Sequence, residues 1–282
     1  MITAGVDIGS TTTKAVILDD GKVRARTVLP SGNLPGETAK RALAEVLASA
    51  GLKESDLAMV AATGYGRRLV DLGGIVMTEI KACAAGALAA TATATAGAGA
   101  ASGLERVHTV IDVGGQDTKV IALDDAGDIE DFSMNDKCAA GTGRFLEMLA
   151  HKLELPYEEF VAEASKSDTM IQMNATCAVF AESEVVGLLA RNVSKADIAA
   201  AAHNAIASRI ASMTRRVGSR GSYCFVGGGA RNRALVRAVE EALNKPVHTP
   251  EDPQTVIALG AAVGARRKLE RAAEKDGGEG TP

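Results

Sequence analysis

Two segments of the chain each contain an aspartate, one or two glycines, and side chains that carry a hydroxyl or an amide group. Their spacing is suited to phosphate binding. They are Asp7-Ile8-Gly9-Ser10-Thr11-Thr12-Thr13-Lys14 and Asp112-Val113-Gly114-Gly115-Gln116-Asp117. A carboxylate can hold a hydrated Mg²⁺, while hydroxyl and amide donors bind phosphate oxygens and an ammonium supplies a point charge. The expected chemistry is the binding and hydrolysis of ATP with Mg²⁺.

The residues of these segments divide into two predicted roles. Asp7 and Asp112 are expected to be catalytic, and Gln116 is expected to orient an attacking water without acting as a base. The predicted phosphate contacts are Gly9, Ser10, Thr11, Thr12, Thr13, Lys14, Gly114, Gly115, Gln116 and Asp117.

The two segments are copies of one internal repeat. Residues 7–20 align without gaps on residues 112–125, and seven of the fourteen positions are identical. Each copy is an apolar run, a polar turn, a second apolar run and an Asp-Asp turn, which predicts a β-hairpin opening a β-meander. We expect the two hairpin tips to face each other and to hold the phosphates of ATP in a cleft.

A third glycine-rich segment, Gly227-Gly228-Gly229-Ala230-Arg231-Asn232, lies between a predicted strand at 223–226 and a predicted helix at about 230–243. Glycines there would let the backbone lie flat against an adenosine, so Gly228, Gly229 and Asn232 are predicted cofactor contacts. The common motif G-x-x-x-x-G-K-[ST] is not found in the sequence. One D-x-G alone is more often a simple turn, but the three segments in this order resemble the ATPase core shared by actin, sugar kinases and the Hsp70 chaperones.

This resemblance implies an α/β, two-lobed, actin-like ATPase fold with duplicated lobes. We expect a first α/β lobe at 1–105, a second at 106–270 and a flexible tail at 271–282. Apolar periodicity predicts helices near 37–52, 139–152, 178–191, 195–217 and 254–267. Residues 78–90 are predicted to form an Ala-rich helix, followed by a low-complexity loop; the role of segment 91–103 stays open.

Composition narrows the classes of partner. The 282 residues are 46% hydrophobic with a formal net charge of -4, which supports ample cores and offers no broad positive field for nucleic acid. The first residues lack the basic region of a secretory signal. The uncharged stretch 82–104 is built from Ala, Gly and Thr, which supply little transfer free energy into lipid. We therefore expect a cytoplasmic protein with no membrane and no nucleic acid partner.

Two of the four cysteines share an unusual context. Cys138 and Cys177 each stand directly before a predicted helix, where the positive end of the helix dipole favours a thiolate, whereas Cys83 and Cys224 lie in apolar segments typical of a core. Each cysteine alone is as well explained as a small buried residue. A [4Fe–4S] cluster needs four ligands, so two cysteines per chain predict one cluster shared across a twofold axis by a homodimer.

The motifs together are similar to those of the ATP-dependent activators of 2-hydroxyacyl-CoA dehydratases, whose superfamily includes the ATPase subunits of benzoyl-CoA reductase. The resemblance spans about residues 3–267. Besides the two repeat copies, it rests on Thr63-Gly64-Tyr65-Gly66-Arg67, Asn135-Asp136-Lys137-Cys138-Ala139-Ala140-Gly141-Thr142-Gly143-Arg144 and Val179-Phe180-Ala181-Glu182-Ser183-Glu184.

The resemblance implies a homodimeric iron–sulfur ATPase. It would take an electron from ferredoxin or flavodoxin and deliver it, at the cost of ATP, to an iron–sulfur dehydratase or reductase. Cys138 and Cys177 would be the cluster ligands and Gln254 a further nucleotide contact. Three alternatives stay open: pairing with a paralogous subunit in a benzoyl-CoA reductase complex, a small-molecule kinase of the sugar-kinase type with Asp112 as general base, and an actin-like or chaperone-like scaffold.

Overall fold

The chain folds into two compact units. The computed structural model describes residues 1–98, 106–135, 139–167, 169, 171–173 and 177–278. One unit comprises Met1–Ser102 with Thr255–Pro282, and the other comprises Gly103–Gln254. The predicted range 106–270 for the second lobe therefore extends too far, because the chain returns to the first unit at Thr255.

Each unit contains a five-stranded mixed sheet. The described strands are β1 (Ile2–Ile8), β2 (Thr12–Asp19), β3 (Lys22–Pro30), β4 (Met59–Thr63), β5 (Ile75–Val76), β6 (Val107–Val113), β7 (Thr118–Leu123), β8 (Ile129–Asn135), β9 (Ser222–Val226) and β10 (Val247–His248). The described helices are α1 (Pro35–Ala50), α2 (Glu79–Ala98), α3 (Gly143–Lys152), α4 (Tyr157–Ala164), α5 (Ala178–Ala190), α6 (Lys195–Arg216), α7 (Arg233–Leu243) and α8 (Val256–Gly278).

The two sheets have the same topology. Their strand orders are β3-β2-β1-β4-β5 and β8-β7-β6-β9-β10. In each, the first three strands form an antiparallel meander, and the fourth and fifth strands run parallel to the first. The hairpins predicted from the internal repeat are confirmed, and the duplication extends to the whole sheet.

In the first unit, the side chains of strand β1 point alternately to the two faces of the sheet, and a helix packs on each face. Ala4, Val6 and Ile8 lie in the core beside α1. Gly5 points to the opposite face, where a Cβ atom would come within 2.0 Å of the carbonyl oxygen of Ala258 in α8. Only glycine at position 5 allows this helix to approach the sheet so closely, which is why α8 belongs to the first unit.

Two helices of this unit are longer than the sequence predicts. The sequence predicts a loop after residue 90, but α2 continues to Ala98. Alanine, the strongest helix former, is frequent in this segment, and within the helix the Thr91 hydroxyl donates a 2.9 Å hydrogen bond to the carbonyl oxygen of Ala87. Likewise α8 runs to Gly278 and takes up much of the predicted tail. In the described part of the chain, no helix combines the length and apolar character that crossing a bilayer requires.

The second unit differs from the first in what connects its third and fourth strands. A single α-helix, α1, fills this connection in the first unit, whereas α3 to α6 are described in the second. Their core is centred on Phe145, Phe160 and Phe225, which are fully buried. Helix α4 was not predicted. Cys138 and Cys177 therefore lie in a part of the chain, between β8 and β9, that is longer and has more helices than the corresponding part of the first unit.

Candidate nucleotide site and cysteine helices

The tip of the first hairpin presents a buried carboxylate. Asp7 pairs with Lys14 across the β1–β2 ladder, and the lysine Nζ donates to Asp7 Oδ2 at 3.0 Å. Asp7 is only 2% exposed, and its other oxygen, Oδ1, has no hydrogen-bond partner among the described residues. The hydroxyl groups of Thr11 and Thr63 are also buried and without a partner there. Because buried polar atoms are rarely left unsatisfied, this set fits a bound hydrated cation and phosphate.

The predicted phosphate contacts of the first hairpin lie at different depths. Ser10 is exposed, whereas Thr11 and Thr12 are half-buried. Thr13 is fully buried and its hydroxyl lies 2.9 Å from that of Ser31, so its side chain braces the hairpin and does not reach the surface. The Thr13 side chain is therefore not placed for the phosphate contact that the sequence predicted.

The second hairpin tip contains the same pair with one addition. Lys119 is fully buried and its ammonium lies 3.0 Å from Asp112 Oδ2 and 2.7 Å from Asp117 Oδ1. Lys119 occupies the ladder position of Lys14, opposite the aspartate. The sequence alone predicts no role for Lys119, although the alignment of the two repeat copies equates it with Lys14. A cation held by two carboxylates fixes the positions of both acids.

The turn between β6 and β7 is tied to the start of α3. The amide of Gly143 donates to the carbonyl oxygen of Gly114 at 2.9 Å, and that of Arg144 donates to Gly115 at 3.1 Å. Gly114 and Gly115 are half-buried, while the side chain of Gln116 is exposed. The side chain of Gln116 is therefore accessible to a ligand, while hydrogen bonds from the start of α3 hold the backbone of its turn.

A glycine with a left-handed backbone lies against the aspartate in each unit. Gly64 follows β4 and Gly227 follows β9, and both have φ of +85°. An added Cβ would lie 2.4 Å from Asp7 Oδ1 at Gly64 and 2.3 Å from Asp112 Oδ1 at Gly227. These positions require glycine for both backbone conformation and space. The motif Thr63-Gly64-Tyr65-Gly66-Arg67 contains Gly64, but its local sequence does not indicate this contact with Asp7.

The glycine-rich segment after β9 forms a short 3-10 helix, Gly228–Arg231. Gly227 donates to the carbonyl oxygen of Pro253 at 2.9 Å, and the Arg231 guanidinium donates to Gln254 Oε1 at 2.9 Å. Gly228 is exposed, with only the Gln254 amide near the position of a Cβ. Gly228 and Gln254, two of the nucleotide contacts predicted from the sequence, therefore lie next to each other.

The cysteines separate into two classes. Cys83 and Cys224 are fully buried, and burial raises the pKa of the Cys224 thiol to about 12, which disfavours a thiolate ligand. Cys177 is half-buried and forms the N-cap of α5 with an extended backbone. Its position directly before a helix agrees with the sequence prediction. Cys138 lies outside the described residues.

Helix α5 carries an apolar surface beside Cys177. Val179, Phe180 and Val186 are 68%, 65% and 50% exposed. On a helix, residues seven apart lie on the same side, so Val179 and Val186 share one face. Exposed apolar side chains grouped in this way are typical of a surface that another protein covers.

Comparisons with known proteins agree with this architecture. The chain is 40% identical over 270 residues to the (R)-2-hydroxyglutaryl-CoA dehydratase activating ATPase of Acidaminococcus fermentans, an alignment that covers 94% of this chain and 97% of that protein. It is 29% identical over 280 residues to one of the subunits of the benzoyl-CoA reductase of Thauera aromatica, covering 93% of this chain and 92% of that protein.

Solved structures show the same fold. The activator of the 2-hydroxyisocaproyl-CoA dehydratase from Clostridium difficile, with bound ADPNP, matches with a TM-score of 0.86 and 36% identity over 98% of both chains. A ROK family glucokinase from Streptomyces griseus has a TM-score of 0.55 at 14% identity, covering 95% of this chain and all of its own, which shows the shared actin-like fold alone. Residues 4–265 match the family model, and the chain belongs to the BadF/BadG/BcrA/BcrD ATPase family.

Proposed function

We propose that this chain is an ATP-driven electron-transfer protein that activates an iron–sulfur 2-hydroxyacyl-CoA dehydratase. The observation that carries the proposal is Cys177 at the start of α5, beside an exposed apolar face, in a chain that otherwise has the duplicated acidic hairpins of an ATPase. The chain is more similar to a dehydratase activator than to a benzoyl-CoA reductase subunit, which supports the role of activator over that of a reductase subunit. Membership of the family favours either of these two roles over that of a small-molecule kinase.

The hairpin tip of each unit has residues suited to contacts with Mg²⁺-ATP. Asp7 Oδ1, which has no hydrogen-bond partner among the described residues, is suited to accept from a water on Mg²⁺. The exposed Ser10 and the neighbouring Lys14 would meet phosphate oxygens, and Gln116 would orient the attacking water. Gly228 and Gly229 would lie against the adenosine. Ordered donors of this kind act by positioning the phosphate and offsetting its charge.

Cys138 and Cys177 would be the cluster ligands of each chain. Two cysteines are half of a four-thiolate set, so one [4Fe–4S] cluster would be shared by two copies related by a twofold axis. When bound, the cluster would supply one-electron transfer at low potential. Val179, Phe180 and Val186 offer an apolar surface that a second copy would cover. The electron donor would be ferredoxin or flavodoxin, and the acceptor would be the dehydratase.

Iron and acid-labile sulfide in anaerobically purified protein test this function. We expect brown protein that elutes as a dimer and contains one cluster per two chains. Cys177→Ser should remove most of the iron, whereas Cys83→Ala is the matched control and should retain it, because Cys83 is buried within α2. Wild-type protein without iron and sulfide would overturn the electron-transfer role and leave an ATPase.

A further inference from the structure

Asn232 is committed to contacts within the protein. It is 4% exposed, and its Oδ1 accepts a 3.0 Å hydrogen bond from the amide of Leu235, which caps the start of α7. Its Nδ2 donates to the hydroxyl of Tyr157 at 3.0 Å and to Nε2 of His203 at 2.9 Å. The amide group therefore uses both of its hydrogens and an acceptor site internally. Asn232 was expected from the sequence to contact the nucleotide, but its side chain is turned inward.

His203 is in a single tautomer. It is 1% exposed on α6, and its Nδ1 lies 2.7 Å from the carbonyl oxygen of Ala199. A carbonyl oxygen only accepts, so Nδ1 carries the hydrogen and Nε2 accepts from Asn232. The ring stacks on Phe160 at a centroid distance of 5.2 Å. Two helices, α4 and α6, thus hold the asparagine through Tyr157 and His203.

Asn232 in turn fixes the end of the glycine-rich segment. Its backbone amide donates to the carbonyl oxygen of Gly229 at 3.1 Å, and its own carbonyl accepts from Val236 in α7 at 3.0 Å. Gly229 packs against Val113, where an added Cβ would be 2.6 Å from the valine side chain. A shift of Asn232 would therefore move the backbone of Gly228 and Gly229.

We propose that His203 and Tyr157 are positioning residues for the adenosine half of ATP, acting through Asn232. The inference rests on the proposed assignment of Gly228 and Gly229 to the adenosine. Neither side chain would touch the nucleotide. Their loss should weaken the binding of ligands that contain adenosine and leave triphosphate binding unchanged, because the phosphate contacts lie on the hairpin tips.

Three substitutions separate this role from a structural one. His203→Phe keeps an aromatic ring on Phe160 but removes the acceptor, His203→Gln can place an acceptor oxygen near the position of Nε2, and Tyr157→Phe removes the hydroxyl. Tyr223→Phe is the matched control, since its hydroxyl lies 3.2 Å from Ser219, outside this network. Each variant is checked for cooperative unfolding without ligand.

The readouts are the KM for ATP, the kcat of ATP hydrolysis, and the Kd values of ATP and inorganic tripolyphosphate. We expect His203→Phe and Tyr157→Phe to raise the KM and Kd for ATP about five- to tenfold, the effect of losing one buried hydrogen bond, with little change in kcat. Tripolyphosphate binding should stay as in the wild type, and His203→Gln should recover most of the ATP affinity.

Two results would overturn the inference: equal weakening of ATP and tripolyphosphate in both variants, or no change in ATP affinity in either. If Tyr157→Phe folds and His203→Phe does not, the tyrosine variant decides alone. Equal affinity of the wild-type protein for ATP and tripolyphosphate would instead show that adenosine contributes nothing, which contradicts the assignment of the glycine-rich segment itself.

Discussion

Thr118 donates a 2.6 Å hydrogen bond to the carbonyl oxygen of Gly141, so the second hairpin is joined directly to the segment that follows Cys138. Thr118 is the first residue of β7, and Gly141 precedes α3 with φ of +100°. With the amides of Gly143 and Arg144 bonded to the same turn, the phosphate-binding tip proposed above and the start of α3 form one hydrogen-bonded unit. We therefore expect a displacement of the hairpin tip to displace the start of α3 as well.

Thr118→Val should weaken the connection between the second hairpin tip and the start of α3. Valine keeps the shape of the side chain but cannot donate, so ATP hydrolysis should persist while ATP-dependent protection of residues 139–146 from hydrogen exchange decreases. Thr109→Val is the matched control, because the buried Thr109 also donates a hydrogen bond to a carbonyl oxygen, that of Arg220 at 3.0 Å. Unchanged ATP-dependent protection in Thr118→Val would show that the contact transmits nothing.

Lys119→Met should be strongly destabilising. It leaves Asp112 and Asp117 without the cation that holds them, and breaking a buried ion pair by removing one partner costs about 3–5 kcal/mol. Denaturant unfolding measures the loss. Lys14→Met is the comparison, since among the described residues Lys14 forms an ion pair with Asp7 alone and its side chain is 14% exposed. A larger loss of stability for Lys14→Met would contradict the bracing role assigned to Lys119.

Gly64→Ala and Gly227→Ala should each abolish ATP hydrolysis, because the new methyl group would collide with the oxygen of Asp7 or Asp112. The backbone strain of a positive φ has to be separated from this collision. Gly51→Ala and Gly218→Ala supply the control, since both glycines have positive φ but open space around a Cβ. These controls should lose about 1 kcal/mol of stability and keep their kcat. Normal turnover in both Gly64→Ala and Gly227→Ala would refute the prediction.

The stability of the second unit should fall in mild acid because of His203. Burial lowers the pKa of His203 below its ordinary value of 6.5, and the neighbouring side chains of Tyr157 and Phe160 on α4 and of Asn232 at the N-cap of α7 are uncharged. The unfolded chain therefore binds a proton at a higher pH than the folded chain does. The free energy of unfolding should decrease as the pH falls below 6.5 and should not change through His203 above it.

Urea unfolding of wild type and His203→Gln between pH 5 and pH 8, roughly the range in which histidine titrates, isolates this contribution. His248 also has a lowered pKa from burial, but it is common to both proteins and cancels in the comparison. The two pH profiles should diverge only on the acid side. Parallel profiles would show that His203 is not neutral and buried in solution.

The sequence predicted most of what depends on local pattern. The alignment of residues 7–20 with 112–125 was enough to place both hairpins, and the position of Cys177 before a helix followed from the apolar run after it. The failures have tertiary causes. No local signal shows that α8 packs on β1, because that contact depends on Gly5 lacking a side chain. Asn232 looked like a ligand residue, but its partners Tyr157 and His203 are distant in sequence.

The contact between β1 and α8 has a consequence for how the protein folds. The hydroxyl of Thr3 donates to the carbonyl oxygen of Ala262, so this bond joins residues 259 positions apart. During synthesis, β1 emerges from the ribosome long before the helix that covers it, whereas Gly103–Gln254 is complete earlier. The second unit is thus able to fold first. Until α8 appears, one face of the first sheet is open to water and is a target for chaperones or aggregation.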